Sequence, residues 1–266
     1  MSLRDRIVKI HDDYLALNKV PGESVEALAS PRDGVVDLPR ALRDELGGPF
    51  LPAAPHRLDL PVSGCVLFAR NPKTLGFLGD CFRTPGRVEK LYWGIAGAPR
   101  KSAASENPVP PGSVPWDRVP PGFAPPDPSA WVELVHWLET GRGNRVLARG
   151  EDGPGRKRGV LRYRVLGRGE HYLFLEILLV TGRHHQIRAQ LSRAGLPIKG
   201  DLKYGARRGD RGIRLHCRAL AFPDPAGGDR VVRVEAPPPE IDGLWRAFID
   251  AALPGARQIS ASGSSN

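Results

Sequence analysis

Short apolar runs with strand character outnumber the stretches with helical spacing in this chain. Val8-Lys9-Ile10 and Leu15-Ala16-Leu17 flank Asp12-Asp13, which predicts a β-hairpin ending at Pro21-Gly22. Further strands are expected at Cys65-Val66-Leu67-Phe68-Ala69 and over residues 88–95, 131–138, 160–166, 172–180, 213–222 and 231–234. Helices are expected over residues 39–46, over 72–82, where Leu75, Leu78 and Phe82 fall at helical spacing, over 185–194 and over 241–253. A Gly/Arg-rich loop covers 150–159, between the strands at 131–138 and 160–166. The two element types mix without regular βαβ alternation, so the predicted class is α+β around a mixed, mostly antiparallel sheet.

Two segments break the pattern. Residues 98–130 hold ten prolines in 33 positions, too many for a helix or a central strand, and read as a surface excursion within one domain. Trp116 and Phe123 inside it are candidate base-stacking residues. Residues 254–266, rich in Ser, Gly and Ala, read as a frayed tail, so the domain is expected to span 1–253. No internal repeat is evident.

A chain of 266 residues can bury a substantial core. Net charge is +10 and the isoelectric point is near 9.9, which suits an anionic partner such as nucleic acid or a membrane surface. Residues 142–218 hold 19 Lys/Arg and 6 Asp/Glu, a net of +13 that exceeds the charge of the whole chain. The basic excess is therefore localised, as a phosphate-binding face requires. No apolar run approaches the ~20 residues needed to cross a bilayer, and the first residues lack a signal-peptide core, so a soluble, cytoplasmic protein is expected. Cys65, Cys81 and Cys217 are odd in number and set among apolar neighbours, which predicts buried free thiols rather than disulfides or a metal knuckle. The histidines show no His-x-x-x-His spacing, and no metal or cofactor is expected.

The chemistry concentrates in separated motifs. His56-Arg57-Leu58-Asp59 precedes Ser63-Gly64 and a buried-looking strand; Glu89-Lys90-Leu91-Tyr92 lies in the next one. Thr181-Gly182-Arg183-His184-His185-Gln186-Ile187-Arg188 and Gly200-Asp201-Leu202-Lys203-Tyr204-Gly205 follow, then Leu215-His216-Cys217 through Phe222-Pro223-Asp224-Pro225. In this order they resemble the RluA-type family of RNA pseudouridine synthases over roughly residues 7–248. Val62 and His184 depart from it, each standing where the family usually has threonine.

The resemblance implies the pseudouridine synthase fold, a bisected sheet with the active site in a central cleft. It also implies that the chain starts at the catalytic domain, without the small N-terminal RNA-binding domain of some relatives. Asp59, whose ordinary reading is a turn residue, becomes the expected nucleophile, an ionised carboxylate beside the ribose. Arg188, otherwise a solvated arginine on the flank of its helix, becomes its partly buried ion-pair partner. Tyr92, otherwise core packing, becomes the residue that stacks on the extracted uracil and offers a hydroxyl. Arg57 is expected to fill the gap left by a flipped nucleotide. His56, Lys90, Arg183, His185, Gln186 and Lys203 complete the expected RNA contacts, with Tyr204 beside the cleft.

The expected activity is isomerisation of specific uridines in rRNA or tRNA to pseudouridine by a monomer without cofactor. One alternative is a non-catalytic RNA-binding protein using the same basic cleft. Another is an N-glycosidase, which would release free uracil.

Overall fold

The computed structural model describes residues 2–97, 131–207, 212–227, 229–239 and 242–252. The proline-rich excursion, with Trp116 and Phe123, and the C-terminal tail lie outside the described residues.

The first hairpin forms as its pattern predicts. Strands β1 (Ile7–Ile10) and β2 (Tyr14–Lys19) pair antiparallel, with Ile10 opposite Leu15. A two-residue parallel ladder, β3 (Glu23–Ser24) with β4 (Val36–Asp37), leads into helix α1 (Leu38–Leu46). The Asp37 carboxylate caps α1 by accepting from the Arg40 N–H at 3.1 Å. Strand β5 (Ser63–Ala69) is buried along its whole length, and helix α2 (Pro72–Arg83) lies against it, with Leu78 and Cys81 fully buried. Asn71 caps α2 through the Thr74 N–H at 2.8 Å, and Pro72 sets the first turn.

Strands β6 (Glu89–Gly97), β7 (Val132–Thr140), β8 (Val146–Arg149), β9 (Lys157–Arg168) and β10 (Tyr172–Leu179) extend the sheet. After helix α3 (Gln186–Arg193) come β11 (Leu215–Pro223), β12 (Val231–Glu235) and helix α4 (Gly243–Ala252). Ten strands form one sheet in the order β1-β2-β5-β11-β6-β10-β9-β7-β8, with β12 on β11. All its pairings are antiparallel except β5 with β11. The predicted α+β class and mixed, mostly antiparallel sheet are what the structure has.

The parallel contact bisects the sheet. The start of β11 faces β5, with His216 opposite Ser63 and Cys217 opposite Gly64, while its second half turns to β12. Gly64 has φ +120°, and a Cβ there would sit 2.3 Å from the Cys217 carbonyl oxygen, so only glycine permits this approach. His216 locks the seam. Its Nε2 lies 2.9 Å from the Ala236 carbonyl and takes the proton, so Nδ1 accepts from the Ser63 hydroxyl at 2.9 Å. Burial pushes this imidazole down to about 4, which keeps it neutral.

Four strands depart from the sequence reading. Strands β3, β4 and β8 were not foreseen, and β9 begins at Lys157, inside the stretch read as loop, where Lys157 pairs with Leu138. All three cysteines are free and buried. Among the described residues, no helix is long and apolar enough to cross a membrane.

Candidate active site

Asp59 lies in the irregular stretch 51–62 that precedes β5, and buried groups fix its backbone from two sides. Lys19, at the end of β2, is fully buried and donates to the carbonyls of Val20, Leu60 and Val62 at 3.1, 3.0 and 2.6 Å. Burial lowers its pKa to about 8, against the pull of Glu23 and Asp59. On the other side, the His56 ring stacks on Phe82, 4.4 Å between centroids, and its Nε2 accepts from the Leu67 N–H at 3.0 Å. Burial, helped by the charge of Lys90, pushes His56 down to about 3, so it serves as a neutral acceptor. Between these anchors the Val62 N–H closes a turn onto the Asp59 carbonyl at 2.9 Å.

The Asp59 carboxylate meets α3. Arg188 donates from Nη1 to Asp59 Oδ2 at 3.0 Å. The same guanidinium is gripped from the other side by Asp201, Nε to Oδ2 at 2.7 Å and Nη2 to Oδ1 at 2.9 Å. The Arg188–Asp59 pair is partly buried, as expected from sequence, whereas Arg188 and Asp201, 4% and 1% exposed, form a bidentate pair in the core. Burial opposes the Arg188 charge, but the bonds from Asp201 and Asp59 outweigh it and raise its pKa. The Tyr204 ring lies under the guanidinium, 5.0 Å from its carbon.

His185 completes this side. It adopts φ +50° just before α3, and its Nδ1 lies 2.9 Å from the Tyr204 hydroxyl. That hydroxyl accepts the Val146 N–H at 2.8 Å and gives its own proton to Nδ1 in the tautomer that turns an N–H, rather than a lone pair, toward the Asp59 carboxylate. The imidazole proton then sits on Nε2, which faces Asp59 Oδ2 at 3.6 Å. Burial holds His185 at about 4, despite the pull of Asp59. Among the described residues, the polar contacts of the Asp59 carboxylate run through Oδ2.

A cavity of about 400 Å³ opens over this carboxylate, a volume within the ~300–1,000 Å³ of small-molecule sites. Its lining carries five Lys/Arg (Arg57, Arg83, Lys90, Arg183, Arg188) against Glu26 and Asp59, a balance that suits an anionic ligand. Tyr92 and Lys90 project into it from one face of β6. Burial holds the Tyr92 phenol well above its usual range, with the Cys217 thiol as hydrogen-bond neighbour, so it stays protonated. Arg57 and Arg183 stand exposed in the lining.

Of the eleven residues placed at the cleft from sequence, the structure brings nine together here and leaves Lys203 and the buried Tyr204 off the cavity wall. Lys203 donates to the carbonyls of Gly143 and Asn144 at 3.0 and 2.9 Å and does not line the cavity. Gln186 lines it, but its amide is spent on the fold: Oε1 accepts from the Thr181 hydroxyl and the Arg183 N–H, each at 2.9 Å, and Nε2 donates to the Val160 carbonyl at 3.0 Å. Asp201 and Lys19 were missed as supporting groups. Asp201 belongs to a motif noticed in the sequence, and the buried arginine it serves was the available signal; Lys19 had no local one. The fold also gathers Asp59, His184 and His185, with three potential ligand atoms within 4.8 Å of one another, a trio that spacing did not suggest. Arg188 already engages the carboxylate, and the charges of Arg188 and Lys203 act on both imidazoles, an unfavourable setting for a dication.

Residues 13–193 match the family model described as RNA pseudouridylate synthase. The chain belongs to this family. It is 31% identical over 260 residues to the ribosomal large subunit pseudouridine synthase C of Escherichia coli K12, covering 93% of this chain and 70% of that one. An RNA pseudouridine synthase of Zymomonas mobilis is 29% identical over 241 residues, 90% of this chain and 95% of its own. The fold is that of human RNA pseudouridylate synthase domain containing 4, with a TM-score of 0.65 at 17% identity over 94% of each chain. The human domain containing 1 gives 0.64 at 23% identity over 91% of this chain and 86% of that one. The RluA-type resemblance read from the motifs is thereby shown, and the protein is an RNA pseudouridine synthase by family.

Proposed function

We propose that this synthase isomerises specific uridines of ribosomal or transfer RNA, with Asp59 as nucleophile acting on a nucleotide flipped into the cavity. The name of the E. coli relative favours large-subunit ribosomal RNA. One observation carries the reading. Arg188 holds Asp59 through Oδ2, with the His185 ring 3.6 Å from the same oxygen, which leaves Oδ1 to meet the ribose at the mouth of a basic cavity.

The remaining residues take roles that follow from their states. Arg188, locked to Asp201, keeps the carboxylate oriented and its charge compensated. Tyr92, protonated, stacks on the base and offers a hydroxyl near the sugar. Arg57, exposed in the cavity lining, occupies the space that the nucleotide vacates, offsetting an unstacking cost of a few kcal/mol. Attack at the anomeric carbon and elimination through a glycal both use the ionised carboxylate. Enclosure retains the detached uracil for rejoining through C5.

The test is to incubate the purified protein with unmodified large-subunit rRNA and with transfer RNA, and to map pseudouridine at single-nucleotide resolution. Modification at discrete uridines is expected. Free uracil would identify a glycosidase, and tight binding without either product would identify a non-catalytic RNA-binding protein.

A further inference from the structure

Lys90 is a buried cation with no anion to serve. It is 9% exposed, yet no hydrogen bond or ion pair joins its ammonium to the described residues. Its position is defined: a Cβ built on Gly182 would lie 3.7 Å from Nζ, so the glycine keeps the space beside the ammonium open. The groups that act on it are the Cys217 thiol of β11, the Arg183 guanidinium of the loop before α3 and, from 51–62, the imidazole of His56. Tyr92 shares its face of β6. None of these is a carboxylate; Asp59, the nearby anion in the lining, is engaged by Arg188.

Burying an ammonium without a partner is costly, and a site that tolerates the cost fits a ligand that brings the negative charge. Phosphates are served by the exposed guanidinium group of Arg183. An unpaired ammonium that reaches the cavity from a largely buried side chain, on the strand of Tyr92, is instead placed for the base. We propose that Lys90 is a further catalytic residue, the counter-charge for the uracil anion that exists between glycosidic cleavage and rejoining through C5. This rests on the function proposed above.

When the C1′–N1 bond breaks, its electron pair stays on N1 and spreads onto the carbonyl oxygens. C1′ is captured by Asp59, or the sugar loses its C2′ proton to give the glycal. Lys90 donates a hydrogen bond to a carbonyl oxygen of the anion. The C5–C1′ bond then forms as the Asp59–C1′ ester bond breaks or, on the glycal route, as the Asp59 carboxylate returns to C2′ the proton it took; C5 releases its hydrogen as a proton to water and N1 takes a proton from water, so the reaction balances as an isomerisation. The base enters neutral and is charged only during the reaction. The interaction therefore strengthens toward the transition state, where binding energy accelerates chemistry. Burial lowers Lys90 to about 8, which leaves it charged at neutral pH.

The experiment compares the parent, Lys90→Met and Lys90→Arg in single-turnover reactions on an RNA that the parent modifies, with RNA affinity measured separately. The Met variant should lose about 10²–10³-fold in the chemical rate constant, as for removal of one oxyanion donor, with affinity little changed. Its defect should shrink on RNA carrying 5-fluorouridine at the target, followed by consumption of the parent nucleotide, because fluorine stabilises the departing anion. The parent's kcat/KM should fall above about pH 8, and Lys90→Arg should move that limb upward. If the Met variant fails to fold, the pH profiles of the parent and the Arg variant decide. Weakened affinity with an unchanged rate, equal defects on both nucleotides, or an unmoved alkaline limb overturns the assignment. A parent that forms no pseudouridine overturns the function itself, whereas an active parent with an unaffected Met variant overturns this inference alone.

Discussion

Asp201→Asn should cost more stability than its distance from the substrate suggests, because Asp201 is what allows Arg188 to be charged in the core. Both carboxylate oxygens are spent on the guanidinium, at 2.7 and 2.9 Å, and the two side chains are 1% and 4% exposed. Asparagine keeps the volume but turns an NH2 donor toward another donor. At about 4 Å between charge centres and an effective dielectric near 20, the lost attraction is about 4 kcal/mol, in line with the ~3–5 kcal/mol observed when one partner of a buried pair is removed. Asp59 remains as the second acceptor and holds the loss toward the low end. For a chain of this length each kcal/mol moves Tm by about 2–4 °C, so a drop on the order of 10 °C is expected. Urea unfolding of the parent, Asp201→Asn, Arg188→Met and the double variant forms the decisive cycle. The double variant should be less destabilised than the sum of the singles by about 2–3 kcal/mol, since it leaves neither member of the core pair charged without the other. Additive effects, or a single Asn variant within about 1 kcal/mol of the parent, would refute the claim that the pair holds the site.

Acid should destabilise the fold steadily. Burial holds His56 at about 3 and His136 and His216 at about 4. Between these values and 6.5 the unfolded chain binds protons that the folded one refuses, so stability is lost as pH falls through that window. Glu89 acts in the opposite sense, because burial raises it to about 7 and the fold keeps a proton that the unfolded chain releases above 4.5. With His185, likewise held at about 4, four groups stand against one, and at about 1.4 kcal/mol per unit each they leave a net slope of roughly 4 kcal/mol per pH unit near pH 5.5; a flat profile in urea unfolding contradicts it. Gly64→Ala should prevent the β5–β11 contact, because the new methyl would sit 2.3 Å from the Cys217 carbonyl oxygen; loss of the cooperative unfolding transition checks this. RNA affinity should drop by roughly 0.7–0.9 log units per phosphate contact for each tenfold rise in salt, and a salt-independent Kd removes the basic face from the account.

How far the sequence alone reached depends on whether an interaction is local. The hairpin of β1 and β2, the capped starts of α1 and α2 and the strands β10 and β11 carry their signals within a few residues. Strand β8 and the start of β9 do not. Lys157, Arg158 and Gly159 have poor strand character, and what orders them is pairing with Leu138, Trp137 and His136 across the sheet. The same division runs through the site. Asp59, Tyr92 and Arg188 were legible because they sit in recognisable motifs, and the structure places all three on one cavity. Lys19 was not, since its ammonium binds carbonyls 41 and 43 residues away. Gln186 looked like an RNA contact because exposure cannot be read from a polar letter; its hydrogen bonds bind the loop to Val160 and Thr181. Lys203 looked like part of the cleft by proximity in sequence, and a short turn carries it to the carbonyls of Gly143 and Asn144.

The central claim is that Asp59 performs the chemistry. Asp59→Asn retains the shape of the side chain and cannot act as an anionic nucleophile. The direct measurement is a single-turnover reaction with saturating protein on an RNA that the parent modifies, with mass spectrometry confirming that the asparagine has not deamidated. The account predicts no detectable pseudouridine, with RNA affinity within several-fold of the parent. Appreciable pseudouridine formation by the verified Asn variant would contradict it.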